Sequence, residues 1–191
     1  MNNEKKRMVF KELEYGVNFE DGLIYLTYDI DTDALYHLTS RLDQLKNYYN
    51  GEHKDITLMV SSFGGDVYSM LGIVDYIRAL DTKVNTHCVG MAMSAAAVIL
   101  ACGTGKRTMT KNSTVMIHEG SALESGKVSD VITGTDNLKK LLTQTNKILG
   151  EVTNKTASFW KKLSKQDTYL TAEQSLEYGL IDEIVEDKSW K

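Results

Sequence analysis

The feature that most constrains the fold of this chain is a regular alternation of strand-type and helix-type segments joined by short turns. Four apolar segments are predicted to be strands, at residues 23–28, 56–60, 84–89 and 114–117. Between them, apolar residues recur at helical spacing in segments that begin at Asp31 or Thr32, at Asp66 and at Met93. This alternation predicts an α/β fold of βαβ units with parallel strands and right-handed crossovers. The 191 residues suit a single domain, residues 1–191.

Small or polar residues follow three of the predicted strands. Gly64 and Gly65 come after the second strand, Gly90 to Ser94 after the third, and His118 directly after the fourth. The carboxyl ends of parallel strands meet at one edge of a sheet, and ligand sites in such sheets lie beyond that edge. The sequence therefore predicts one site to which all three segments contribute.

The pattern changes after His118, where a polar segment leads into a predicted long helix from about residue 129 to 163. At roughly 1.5 Å per residue this helix would be about 45–50 Å long, which is more than the domain needs, so we expect it to project and pack against another subunit. The alternative is a helix broken near Gly150 that folds back on its own core, because glycine is unfavourable inside a helix. The chain is predicted to close with a capped helix from Thr171 to Tyr178, the C-cap Gly179 and a strand from Leu180 to Val185.

Composition and charge argue against several classes of protein. Hydrophobic residues make up 42% of the chain, charged residues 25%, and the formal net charge is −4, as expected for a globular protein. No Lys/Arg block is long enough for a nucleic-acid surface, and no apolar segment follows the charged N-terminus as it would in a signal peptide. The longest apolar run, near residues 91–102, is too short to cross a membrane. Cys88 and Cys102 lack metal-site spacing and are expected to be buried thiols in a cytoplasmic protein.

Ser94 lies where a predicted strand gives way to a predicted helix, and it has two interpretations. A serine in this position can be an ordinary helix cap. It can also be a nucleophile, because the free N–H groups and positive dipole of a helix N-terminus favour developing negative charge. In the second interpretation, the N–H groups of Ala95 and of Gly65 are candidates for an oxyanion hole.

A nucleophilic serine needs a base and a group that orients the base. Among the four histidines, His118 is the best candidate for the base, because it ends a strand at the edge where the glycine turns also end. His37 lies in a surface-type helix, His53 in a polar turn and His87 inside a strand. The candidates for the orienting acid are Glu119, Asp130, Asp136, Asp167 and Asp182. Asp167 ranks only slightly above the others, because an extended segment after it leads into a capped helix.

The chain order Ser94, His118, Asp167 differs from those of α/β-hydrolases, chymotrypsin-like and subtilisin-like enzymes, and no G-x-S-x-G motif is present. Several motifs resemble the Clp protease proteolytic subunit (ClpP) family instead. They are Gly90 to Ser94, Gly105 to Arg107, Asn112 to His118, Tyr169 to Glu173 and Glu177 to Asp182. The resemblance covers about residues 20–187, whereas the N-terminal segment 1–19 matches weakly.

The resemblance implies a ClpP/crotonase-type fold and a self-compartmentalising serine endopeptidase. It implies Ser94 as nucleophile, His118 as base and Asp167 as orienting acid, with the N–H groups of Gly65 and Ala95 as oxyanion hole. A peptide would be held as an added strand beside these substrate-binding residues: Gly64, Gly65, Asp66, Val67, Gly120 and Ser121. The long helix would interleave two heptameric rings into a tetradecamer around a closed chamber. An AAA+ unfoldase would use ATP to feed polypeptide to it, so this chain is expected to need no cofactor or metal.

Some residues depart from the family pattern. Phe63, Lys111 and Gly120 stand where prolines are usual, and Lys165-Gln166 replaces an acidic–Arg pair that links the rings. Met59 and Thr108 occupy an otherwise aromatic pocket for the unfoldase. This divergence resembles phage or prophage members of the family. The alternatives are a catalytically silent or regulatory ring subunit, a crotonase-like enzyme acting on a thioester, and a phage head-maturation protease on the same fold.

Overall fold

A computed structural model describes residues 16–50, 54–121 and 125–186, which contain eight strands and six helices. The strands are β1 (Val17–Asn18), β2 (Leu23–Leu26), β3 (Ile56–Ser62), β4 (Val84–Met93), β5 (Arg107–Thr110), β6 (Thr114–Ile117), β7 (Thr168–Leu170) and β8 (Glu183–Val185). The helices are α1 (Thr32–Tyr49), α2 (Val67–Ala79), α3 (Ala95–Ala101), α4 (Val128–Val152), α5 (Ala157–Leu163) and α6 (Ala172–Tyr178). Within these ranges, none of the helices has both the length and the apolar character needed to cross a bilayer.

All eight strands belong to one sheet, in the order β1-β2-β3-β4-β5-β8, with β6 paired to β4 and to β7. The pairs β2–β3, β3–β4, β4–β5, β4–β6 and β5–β8 are parallel, and the pairs β1–β2 and β6–β7 are antiparallel. The α/β prediction is therefore confirmed. Strands β1, β5 and β7, which are two to four residues long, were not predicted from the sequence.

Two aspartates cap the first two helices: Asp31, one of the two caps that the sequence allowed, and Asp66, as the sequence predicted. The Asp31 carboxylate accepts a hydrogen bond of 2.8 Å from the N–H of Ala34, and the Asp66 carboxylate accepts one of 2.7 Å from the N–H of Ser69. Each carboxylate satisfies one of the N–H groups that a helix N-terminus leaves unpaired. Since the cap Asp66 directly follows Gly65, it also helps to fix the path of the chain after β3.

The predicted end of the third strand at Val89, with a turn at Gly90, is wrong. Strand β4 continues to Met93, and Gly90 lies within it with a φ of 78°. The register shifts from Val60↔Cys88 to Ser62↔Ala92, so two extra residues form a bulge in β4. Before the bulge β4 pairs with β5, and after it with β6. The bulge therefore places the end of β4 beside β6, the strand that precedes His118.

The prediction of one helix from 129 to 163 is also wrong, and the alternative of a break near Gly150 is confirmed. Helix α4 has 25 residues, about 37 Å, and α5 begins after a four-residue connection. A side chain at Gly150 would lie 2.7 Å from the Ala157 nitrogen, so glycine permits the close return of the chain. Trp160 on α5 is fully buried and its indole N–H donates to the Thr153 hydroxyl at 2.8 Å.

The first turns of α4 remain exposed. Val128 is 76% exposed and Ile132 57%, whereas Leu141, Ile148 and Leu149 further along are buried against the core. The C-terminal half of the helix therefore packs on its own domain. The N-terminal half presents apolar side chains that no described residue covers.

One arginine joins the C-terminal ends of three helices. An N–H of the Arg107 guanidinium group (Nη1) donates to the carbonyl oxygens of Ala101, Val152 and Gly179 at 3.2, 2.8 and 2.9 Å. Its Nε and Nη2 donate to the Asp182 carboxylate at 3.1 and 2.5 Å. These carbonyls lie at the ends of α3, α4 and α6, where helices leave acceptors unpaired. Arg107 thereby holds the C-terminal ends of these three helices together.

Candidate active site

A groove of about 760 Å³ lies beyond the carboxyl ends of β3, β4 and β6, with α4 forming its far wall. Gly65 follows β3, Ser94 follows β4 and His118 follows β6, and all three line this groove. The three strand ends that the sequence predicted to form one site therefore do meet in the structure.

Ser94 joins β4 to α3 without an intervening loop, and its backbone is unusual. Its φ of 54° and ψ of −121° fall in a region that residues other than glycine rarely adopt. Such a conformation costs on the order of 1–3 kcal/mol and persists only where the surroundings enforce it. A hydrogen bond of 2.8 Å from the Ser94 N–H to the Met116 carbonyl helps to hold it. The hydroxyl makes no capping hydrogen bond, so the interpretation of Ser94 as an ordinary helix cap does not hold.

The Ser94 hydroxyl instead contacts His118. The distance from Ser94 Oγ to His118 Nε2 is 2.8 Å, within the range of a hydrogen bond. On the other side of the ring, His118 Nδ1 lies 3.4 Å from the Asp167 carboxylate. The Asp167 side chain is 62% exposed, whereas that of His118 is 24% exposed. With the proton on Nδ1 facing Asp167, Nε2 is free to accept the proton of the Ser94 hydroxyl.

His37, His87 and Asp182 are not among the residues that line the groove. His37 is exposed on α1, and His87 lies within β4 with Nδ1 2.6 Å from the Thr108 hydroxyl. Burial lowers the pKa of His87. Asp182 is bound to Arg107, whose hydrogen bonds lower the pKa of this carboxyl. His53 lies outside the described residues.

The other candidate acids also differ from Asp167. Asp136 pairs on α4 with Lys139, and that hydrogen bond lowers the pKa of the Asp136 carboxyl. Asp130 is exposed in the first turn of α4. Glu119 lines the groove next to His118, but Asp167 is the carboxylate whose oxygen lies beside His118 Nδ1.

The backbone of Gly65 is fixed against Ile30. The Ile30 N–H donates to the Gly64 carbonyl at 2.8 Å, and the Asp66 N–H donates to the Ile30 carbonyl at 2.6 Å. Because successive residues of an extended chain direct their backbone groups to opposite edges, the N–H of Gly65 points away from Ile30, towards the groove. The N–H of Ala95 is the first of α3, a position without a partner inside the helix. Gly65 and Ala95, which carry the two candidate oxyanion donors, line the groove together with Ser94.

Two glycines make this close packing possible. A Cβ at Gly65 would lie 2.2 Å from the Ile30 carbonyl oxygen, and a Cβ at Gly64 would lie 2.5 Å from the Met93 oxygen and 2.8 Å from the Ser94 Cβ. Gly64 is thus packed behind Ser94 rather than in the wall of the groove. The other predicted substrate-binding residues line the groove: Gly65, Asp66, Val67, Gly120 and Ser121.

Sequence reasoning missed Ser62, which supports the two glycines. Its hydroxyl donates to the Tyr28 carbonyl at 2.6 Å and accepts from the Gly64 N–H at 3.1 Å. Ser62 is buried, so loss of the hydroxyl would leave two buried backbone groups unpaired. The only signal in the sequence is a hydroxyl residue two positions before a glycine turn, a pattern in which side chains bond to the nearby backbone.

The two cysteines offer no alternative nucleophile. Both are free and buried, as the sequence predicted. Burial raises the pKa of Cys88 to about 12 and that of Cys102 to about 11. Because the thiolate is the reactive form, both side chains are inert near neutral pH.

The fold and this groove together define a serine peptidase, which is a hydrolase. The family model described as Clp protease matches residues 8–188, so the chain belongs to the Clp protease family. A relative from Corynebacterium glutamicum named ATP-dependent Clp protease proteolytic subunit 1 is 33% identical over 179 residues, which cover 93% of this chain and 85% of the relative. A relative of the same name from Thermobifida fusca is 32% identical over 173 residues, covering 90% of this chain and 77% of the relative.

Proposed function

We propose that this protein is an endopeptidase that cleaves peptides or unfolded polypeptides through an acyl-enzyme on Ser94. The observation that carries the proposal is the 2.8 Å contact between Ser94 Oγ and His118 Nε2, made by a serine whose backbone is held in a strained conformation. A serine that served only to cap α3 would have no need of either feature.

The chemistry follows from this geometry. His118 Nε2 takes the hydroxyl proton as Ser94 Oγ attacks the peptide carbonyl carbon, and the N–H groups of Gly65 and Ala95 stabilise the resulting oxyanion. The C–N bond then breaks, and the amine leaves with the proton that His118 returns to it. Water attacks the acyl-enzyme with the same base, which releases the acid and restores Ser94. Asp167 orients His118 and stabilises its protonated form.

The substrate is proposed to bind as an added strand. Gly64 and Asp66 bond to Ile30 on one edge, which leaves the other edge of residues 65–67 facing the groove. Gly120 and Ser121 line the same groove after His118. An extended peptide between these two segments would pair with main-chain groups whatever its sequence.

We further propose that the chain works in stacked rings, as heptamers forming a tetradecamer, with a partner AAA+ unfoldase. The uncovered apolar residues Val128 and Ile132 on α4 suit a contact between subunits. The relatives are named as subunits of an ATP-dependent protease, and ATP is proposed to be used by the partner. The serine mechanism needs no cofactor in this chain. The free cysteines fit a cytoplasmic location.

A fluorophosphonate probe tests the proposal, because it reacts with an activated serine hydroxyl. We expect labelling of the wild-type protein at Ser94 and none in Ser94→Ala. Ser129→Ala, which removes an exposed hydroxyl on α4, is the matched control and should label normally. Labelling that persists in Ser94→Ala would refute the proposal. A protein that assembles by native mass but neither labels nor cleaves peptide would be a catalytically silent subunit.

A further inference from the structure

Phe63 stands out among the residues of the groove. Its side chain is 65% exposed although it is aromatic, while its neighbours Ser62 and Gly64 are buried. The ring lines the same groove as Ser94 and His118. An aromatic ring exposed in a catalytic groove is suited to contact a ligand, because covering it with an apolar group removes apolar surface from water.

The backbone on both sides of Phe63 is fixed. On one side, the Ser62 hydroxyl is bonded to Tyr28 at 2.6 Å and to the Gly64 N–H at 3.1 Å. On the other side, the Gly64 carbonyl accepts from the Ile30 N–H at 2.8 Å. The ring is therefore presented from a rigid turn, and little conformational freedom is lost when a substrate packs on it.

The position of Phe63 relative to the oxyanion donor tells which part of a substrate it meets. In the proposed binding mode the scissile carbonyl oxygen lies at the Gly65 N–H. The peptide is taken to run antiparallel to residues 65–67, so that its acyl part extends along them. The part after the scissile bond then continues past Gly65 in the opposite direction. Phe63 lines the same groove and precedes Gly65 in the chain, whereas residues 65–67 follow that point, so Phe63 is assigned to the side after the scissile bond.

We infer that Phe63 is a specificity-determining residue for the leaving-group side of the substrate, where it favours apolar or aromatic side chains just after the cleaved bond. This inference rests on the proposed peptidase function. Phe63 takes no part in bond making or breaking, so its contribution depends on whether the substrate has residues beyond the scissile bond.

Two substrate series separate this role from a general effect on activity. Peptidyl methyl esters carry only a methoxy group after the scissile carbonyl, whereas internally quenched peptides extend past it and can carry Phe, Leu, Gly or Asp there. For Phe63→Ala we expect kcat/KM to fall about tenfold for quenched peptides with Phe or Leu after the bond, the size typical of a lost apolar contact in a specificity pocket. Activity on the methyl esters and on the Gly peptide should stay within about twofold of wild type.

Two further variants sharpen the test. Phe63→Leu keeps an apolar side chain and should retain most of the preference. Tyr36→Ala removes an aromatic ring that is 67% exposed on α1, outside the groove, and should change neither series. Native mass checks that each variant assembles like wild type.

The outcomes distinguish the inference from the function on which it rests. An equal fall in both series for Phe63→Ala, or no fall for the Phe and Leu peptides, would overturn the role of Phe63 while leaving the peptidase intact. A wild-type protein that cleaves neither series and does not label at Ser94 would overturn the proposed function, and the inference with it.

Discussion

Replacing Gly65 by alanine tests the proposed oxyanion hole directly, because it leaves Ser94, His118 and Asp167 unchanged. The added Cβ would lie 2.2 Å from the Ile30 carbonyl oxygen and 2.8 Å from the Ile30 nitrogen, at a φ of 149°. Both contacts are with backbone, which cannot rotate away as a flexible side chain can. The segment must therefore move away from Ile30, and the Gly65 N–H moves with it.

Two effects of different size follow. The hydrogen bonds that join Ile30 to Gly64 and Asp66, at 2.8 and 2.6 Å, are weakened together. At about 0.5–1.5 kcal/mol net for each bond, the free energy of unfolding should fall by about 1–3 kcal/mol. Misplacing one oxyanion donor should lower kcat by about 10²–10³-fold. The catalytic loss is thus expected to exceed what partial unfolding explains.

The assay is steady-state cleavage of a peptidyl aminocoumarin together with urea unfolding of the same variant. Gly126→Ala is the control, since Gly126 also has a positive φ, 136°, but a Cβ there would meet nothing within 4 Å. It should lose some stability and keep its kcat. If Gly65→Ala folded and retained wild-type kcat, or lost no more than Gly126→Ala, the assignment of Gly65 as an oxyanion donor would be refuted.

Three other predictions concern acid stability, thiols and the catalytic base. The hydrogen bonds from Arg107 lower the pKa of Asp182 in the folded protein. The pair therefore stabilises the fold fully above the ordinary carboxyl pKa, and this stabilisation is lost as pH falls through the lowered pKa of Asp182. The urea midpoint should consequently decline less with acid in Asp182→Asn than in wild type. Burial raises the pKa of Cys88 to about 12 and that of Cys102 to about 11, so neither thiol should react with a disulfide reagent at pH 8 until urea unfolds the protein. Rapid labelling of the native protein would contradict their burial. Cleavage should slow as pH is lowered, since a protonated His118 cannot accept the Ser94 proton, and a flat rate profile down to pH 5 would argue against its role as base.

Local signals in the sequence were sufficient for much of the fold. Asp31 and Asp66 are capping residues whose effect is confined to one helical turn. The structure places Asp66 as predicted and selects Asp31 over the alternative Thr32. The meeting of Gly65, Ser94 and His118 followed from strand ends alone, because parallel strands share one carboxyl edge.

Features that depend on distant contacts were not predictable in the same way. The bulge at Gly90 arises where the pairing of β4 changes from β5 to β6. Neither pairing can be predicted from the residues around Gly90, because the partner strands lie further along the chain. The end of α4 depends on Trp160, which folds back seven residues later to bond Thr153. The residues alone did not single out Asp167 among the acids, since its place beside His118 depends on the pairing of β7 with β6; only the family resemblance selected it.

The conformation of Ser94 has a consequence for how stability and activity are balanced. A backbone held at a φ of 54° and a ψ of −121° is a place where the fold stores free energy. Ser94→Ala discards the hydroxyl but keeps the strain, because alanine also has a Cβ. Ser94→Gly should release most of the strain and melt at a higher temperature than Ser94→Ala, despite the greater freedom of glycine in the unfolded chain. The most stable version of this protein would then be one that cannot work, which means that selection for activity keeps the fold below the stability that its sequence could reach.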